Sequence, residues 1–119
     1  MIINFRGSRG YGLKMFNSLI GNVGINDVED CGELTLKAIE RFSFIDPKKV
    51  FVSGLSYGGC LAGNLIGNLK YKHIFRAANA RNPIFDFIYM SKASDEPDWV
   101  TSCVLNKEFD YILSEEEIQ

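Results

Sequence analysis

The apolar positions of this chain change period several times, and each change marks an element. Residues 1–5 ("MIINF") are a short apolar run of the kind that forms a strand. From Asn26 the period lengthens. Val28, Cys31, Ala38, Ile39 and Phe42 fall on one face at helical spacing, which predicts an amphipathic helix. Asn26 or Asp27 is placed to cap it, and Asp27, Glu29 and Asp30 lie where the helix dipole favours anions. Asp46-Pro47 makes a turn. Residues 49–54 ("KVFVSG") then predict a second strand, apolar enough to be buried on both faces. Residues 57 to about 69 predict a helix with Leu61, Leu65, Ile66 and Leu69 on one side. Residues 74–80 ("IFRAANA") read as a third strand, broken by Arg81-Asn82-Pro83. Beyond it, residues 84–92 fit a short helix, "DEPDW" a loop, and 114–119 an acidic tail. Strands alternating with helices predict a parallel α/β sheet.

Composition narrows the function classes. A length of 119 residues suits one small domain, and 46% hydrophobic with 24% charged residues is ordinary globular usage. The net charge of −2 offers no basic field, so neither nucleic acid nor an anionic membrane surface is expected as a partner. The apolar runs fall short of the roughly 18–20 residues of a membrane span. The first residues lack a basic stretch before a long apolar core, so no signal peptide is expected. Cys31, Cys60 and Cys103 are scattered, with no CxxC pair and a single histidine, His73. No metal and no cofactor are therefore expected, and a reducing compartment, most simply the cytoplasm, fits best. Residues 6–12 ("RGSRGYG") read GxxGxG rather than GxGxxG, with no helix pattern directly behind, and fit an ordinary turn-rich loop.

The chemistry concentrates at Gly54-Leu55-Ser56-Tyr57-Gly58, a GxSxG sequence between a predicted strand and a predicted helix. A nucleophilic serine set on a tight strand-to-helix turn projects above the carboxyl edge of the sheet. Glycine suits the positions two residues to either side, where strand and helix approach, and Gly59 adds room. The backbone N–H of Tyr57 would then face a developing oxyanion at a helix N-terminus. Ser56 also needs a base and an orienting carboxylate. His73 follows the helix and is expected at the opposite end of the sheet, as a surface or loop residue. The order Ser, Asp, His of this fold puts both partners beyond Gln119.

Further residues carry a resemblance. "NFRGSRGYG" at 4–12, "GNVGINDVED" at 21–30, "DPKKVFVSGLSYGG" at 46–59, "ARNPI" at 80–84 and "PDW" at 97–99 together resemble the catalytic domain of the prolyl oligopeptidase family of serine peptidases, and its acylaminoacyl branch in particular. The resemblance runs to about residue 100. It implies a partial α/β-hydrolase fold, with residues 1–119 a fragment of the catalytic domain that lacks an N-terminal propeller and a C-terminal segment bearing the acid and base. It implies hydrolysis of N-acylated peptides to release the N-acyl amino acid, so the expected partner is a peptide with a blocked N-terminus. It leaves room for an oligomer of the full-length enzyme. Carried over by residue, Ser56 is the nucleophile and the Tyr57 amide one oxyanion donor, with Gly54, Gly58 and Gly59 shaping the elbow. Arg81 either lines the substrate pocket or is a structural arginine. Trp99 and Phe85 either wall an apolar pocket or pack in the core.

The family sheet places one more strand between "MIINF" and "KVFVSG". Without it the chain is expected to fold poorly and to be inactive by itself, because each buried unpaired backbone group costs about 1–3 kcal/mol against a net stability of about 5–15 kcal/mol. Two alternatives stand beside this reading. One is another α/β hydrolase, such as an esterase or dipeptidyl peptidase; the other is a non-catalytic interaction protein that keeps the elbow as a relic.

Overall fold

Two parallel strands and the helix that joins them form the centre of the molecule. A computed structural model describes residues 1–108, and the acidic tail predicted at 114–119 lies outside them. The helices are α1 (Leu13–Asn17), α2 (Asn26–Arg41), α3 (Tyr57–Gly67), α4 (Phe87–Ala93) and the single turn α5 (Pro97–Trp99), which runs on into a π-helical turn at Val100–Val104. The strands are β1 (Phe51–Leu55) and β2 (Ala77–Arg81). They pair in parallel, with Phe51 opposite Ala77 and Leu55 opposite Arg81. Parallel neighbours need a crossover, and α3 with its following turns provides it.

The apolar face read from the sequence is the one α2 buries. Val28, Cys31 and Ala38 are in the interior, while Phe42 ends the helix in extended backbone and stays 41% exposed. The interior face also carries Thr35, whose hydroxyl donates to the Cys31 carbonyl at 2.7 Å and so enters the core without an unmet hydrogen bond. Leu61 and Leu65 of α3 meet Val28 and Cys31, and Tyr71 and Ile74 close the cluster from the turns after α3. Tyr71 lies flat against α2 because Gly32 has no side chain there; a Cβ would come within 2.5 Å of its ring. The Tyr71 hydroxyl reaches Glu33 at 3.0 Å.

Residues 1–5 were expected as a strand and are not one. A strand is held by a neighbour's ladder, and among the described residues this segment pairs with none. A cleft of about 630 Å³ separates residues 1–5 from β1, walled by Cys31, Ala38 and Ile39 of α2 and Leu61 of α3. The strand β1 was expected to be buried on both faces, but Phe51 is 66% and Leu55 58% exposed. Both helices of the core lie on one side of the sheet, and α2 packs on α3 rather than on the strands. Ile66 and Leu69, expected on the packed side of α3, are exposed, and α3 ends at Gly67 before Leu69 is reached. The predicted loop "DEPDW" holds a helical turn from Pro97, a residue suited to a helix start, and residues 13–17 add a short helix that periodicity did not mark.

Arg6 fastens the glycine-rich loop to α2. Its guanidinium and its backbone N–H both bond the Asp30 carboxylate, and the guanidinium also reaches Glu29 and the Asn26 carbonyl. Hydrogen bonding to Asp30 first, then Glu29, raises the Arg6 guanidinium still further above its ordinary range. Two of the three carboxylates at the start of α2 thus hold a loop in place.

Candidate active site

Ser56 sits at the junction where β1 passes into α3, with φ 53° and ψ −120°, and its side chain is exposed. An L-residue meets steric strain at such a φ, and a non-glycine residue is held there only when its surroundings leave no alternative. Here the Ser56 backbone N–H donates to the Arg81 carbonyl at 2.9 Å, continuing the ladder one residue past the strand. Its carbonyl accepts from Gly59 and Cys60, the first hydrogen bonds of α3. The hydroxyl makes no capping bond to the helix. The amides of Tyr57 and Gly58 are first-turn groups with no carbonyl four residues back inside the helix to bond.

The three glycines around Ser56 have different reasons. A Cβ on Gly54 would lie 1.9 Å from the Gly58 carbonyl oxygen and 2.6 Å from the Gly59 nitrogen, backbone atoms that cannot rotate away. On Gly59 it would meet Pro83 at 3.0 Å and the Arg81 carbonyl at 3.3 Å, so glycine lets α3 lie against the turn after β2. On Gly58 it meets nothing within 4 Å among the described residues. The expected collision at both flanks therefore applies to Gly54, while Gly58 opens onto the cleft beside β1. In an intact catalytic domain, where a further strand is proposed to fill that cleft, Gly58→Ala is expected to lower the urea midpoint, but by less than Gly54→Ala, because its methyl meets no backbone of the described residues.

Arg81 ends β2 beside the elbow, and its side chain is exposed. His73 lies four residues before β2 begins, at the end of the sheet opposite Ser56, because Phe51 and Ala77 share one end and Leu55 and Arg81 the other. Among the described residues no histidine stands near the Ser56 hydroxyl. Phe85 is 67% exposed and lies over Gly63. Trp99 packs on Tyr57 edge to face at 5.7 Å and near Phe87 at 6.0 Å.

One residue of this neighbourhood escaped the sequence reading. Asp27, expected as a helix cap, is fully buried, and its carboxylate accepts a hydrogen bond from the Tyr57 hydroxyl. The other carboxylate oxygen accepts from the Val28 N–H at 2.9 Å. Burial raises the Asp27 carboxyl above its ordinary range, opposed by backbone N–H groups of Val28, Asp27 and Gly24 and reinforced by Asp30. Burial also pushes up the thiols beside it: Cys31 rises to about 11, and Cys60 moves in the same direction, each aided by the Asp27 charge. Only a pairing of residues 30 positions apart could have shown this, and no local signal encodes it.

Comparison with known proteins supplies the context. The model of the prolyl oligopeptidase family matches residues 1–114. The chain is 46% identical over 99 residues to the acylamino-acid-releasing enzyme of Arabidopsis thaliana, covering 83% of this chain and 13% of that enzyme. It is 35% identical over 111 residues to the acylamino-acid-releasing enzyme of Mus musculus, covering 93% of this chain and 14% of that one. The chain thus spans only 13–14% of the length of these relatives. A solved acylaminoacyl peptidase in complex with Z-Gly-Gly-Phe-chloromethyl ketone superposes with a TM-score of 0.71 at 21% identity, over 86% of this chain and 16% of that one. That likeness is one of fold, and it makes the β1–α3–β2 unit part of an α/β-hydrolase sheet.

Proposed function

From the fact that this chain belongs to the prolyl oligopeptidase family, we propose that it is a segment of a serine peptidase catalytic domain that releases N-acylated amino acids from blocked peptides. Ser56 is the nucleophile, and the Tyr57 backbone N–H is one oxyanion donor. The observation that carries the reading is the strained, exposed serine at the start of α3. The substrate class follows the acylamino-acid-releasing enzymes to which the chain is similar.

In this reading Ser56 Oγ attacks the carbonyl of the acylated residue and passes its proton to a general base. The carbonyl oxygen takes up negative charge beside the Tyr57 amide, where the N-terminal end of α3 adds its own positive potential. The amine then leaves with that proton, and water cleaves the resulting ester. The base and its carboxylate come from chain outside the described residues, since His73 is at the wrong end of the sheet. Gly54 and Gly59 hold strand and helix close enough to keep the serine aloft. Arg81, at the rim of the same edge, is available to a substrate carbonyl or carboxylate. Cytoplasmic location fits the family reading and the scattered cysteines.

The cleft beside β1 supports a place for this segment inside a larger domain. It is lined by residues of β1 (Phe51, Val52, Ser53) on one side and by Ile3 and Phe5 of the N-terminal segment, with Ala62 of α3. An extended segment there would pair with the free edge of β1 and cover the inner faces of both α2 and α3. By itself the 119-residue chain is expected to resist labelling by a fluorophosphonate and to show no cooperative melt above about 45 °C, a typical lower bound for a mesophilic domain. The direct test is a chimera in which this chain replaces the matching segment of the Arabidopsis thaliana enzyme. It should release N-acetylalanine from an N-acetylated peptide and spare the same peptide with a free amine. A folded chimera that cleaves neither, or labelling of the isolated chain as fast as the chimera, would overturn the reading.

A further inference from the structure

Asp27 stands out among the ionisable groups of the interior. It is completely buried, and Arg6, the arginine bound at the start of the same helix, is committed to Asp30 and Glu29. An unpaired carboxylate in such a place is expensive, and a helix start needs none: an exposed serine or asparagine would serve. Its partner is the side chain of Tyr57, whose backbone N–H adjoins Ser56. The Tyr57 ring is gripped from two other directions, by Phe5 at 6.5 Å and by Trp99 at 5.7 Å. Three segments distant in sequence therefore meet on the one side chain next to the serine. Of the three, only Asp27 acts through a directional, charge-assisted bond, which is stronger and more orienting than ring packing.

We propose that Asp27 is a positioning residue for the serine elbow: its carboxylate holds the Tyr57 hydroxyl and thereby fixes the Tyr57 backbone N–H at the angle an oxyanion requires. The inference rests on the reading of Ser56 as a nucleophile. The geometry of an oxyanion donor tolerates little drift, since misplacement by about 1 Å can cost about a hundredfold in rate. A phenol tied at its far end leaves the first turn of α3 one orientation, while the strain at Ser56 would otherwise favour relaxation. Nothing in this role moves a proton or touches the substrate.

The test uses the same chimera. Tyr57→Phe keeps the ring and its contacts with Phe5 and Trp99 and removes only the hydroxyl. It is expected to slow fluorophosphonate labelling of Ser56 and to lower kcat on an acetylated peptide, each by roughly tenfold or more, with KM within twofold. Asp27→Ala should show the same split, and Asp27→Asn, which keeps an acceptor oxygen, should recover part of the rate. Once Tyr57→Phe is present, Asp27→Asn should cost nothing further in labelling rate, because the two residues act as one unit. A Tyr57→Phe chimera that melts lower but labels and turns over at the parent rate overturns the positioning role and leaves the nucleophile standing. Fully additive losses in the double variant also overturn it. A folded parent chimera that is not labelled overturns both readings.

Discussion

Replacing Ser56 by alanine in the chimera is expected to abolish turnover of the acetylated peptide, with kcat falling by roughly 10⁶-fold while substrate still binds. The size follows from the role. If Ser56 is the nucleophile proposed above, its removal leaves only oxyanion stabilisation and binding, and a serine hydrolase without its serine retains a small remnant over water. The elbow gives a second reason for confining the loss to chemistry. Ser56 bonds its neighbours through backbone groups, its N–H to Arg81 and its carbonyl to Gly59 and Cys60, and its hydroxyl supports no cap. Alanine keeps all those backbone bonds, so the melting temperature should change little. Turnover of the N-acetylated peptide, active-site labelling and a thermal melt check the three parts. A Ser56→Ala chimera that stays folded and keeps more than about a thousandth of parental activity would remove Ser56 from the mechanism.

Gly54→Ala is expected to be the most damaging small substitution in the chain. The added methyl would stand 1.9 Å from the Gly58 oxygen and 2.1 Å from its carbonyl carbon. Neither atom belongs to a movable side chain, so strand and helix must separate. That separation stretches the Ser56–Arg81 bond, which holds the elbow to β2. Loss of about 4 kcal/mol or more is expected, in the range reserved for overpacking and backbone strain. The chimera should accumulate poorly, and what remains should not take the fluorophosphonate. Gly58→Ala serves as the comparison, a glycine of the same motif whose added methyl meets nothing within 4 Å among the described residues. If Gly54→Ala is produced, melts and labels like the parent, the turn does not have the tightness described for it.

What could be read from the sequence was whatever depends on near neighbours. The helical spacing of Val28, Cys31 and Ala38 identified the inner face of α2, because a helix repeats its face within a few residues. The elbow was legible for the same reason: GxSxG between an apolar strand and an apolar helix is a local pattern, and the β1–α3 junction lies at that place. Two kinds of feature were not legible. Asp27 looked like any first-turn acid, and its buried bond is made to Tyr57, 30 residues away, whose ring is in turn packed by Phe5 and Trp99. The exposed Phe51, Leu55 and Ile66 show the reverse case, apolar side chains that match a fully covered sheet while the described residues cover one face. Residues 1–5 belong with them, as a strand sequence without a strand to pair with.

The bare border of β1 has a consequence for the life of this polypeptide in a cell. Among the described residues β1 pairs only with β2, and a free strand edge of this kind, with Phe51 and Leu55 exposed, is a template on which an extended chain can add itself. A copy released from the ribosome before that border is sealed meets chaperones, proteases and its own sisters sooner than it meets a substrate. Timely sealing of that one seam is thus expected to decide how much folded protein a given amount of message yields.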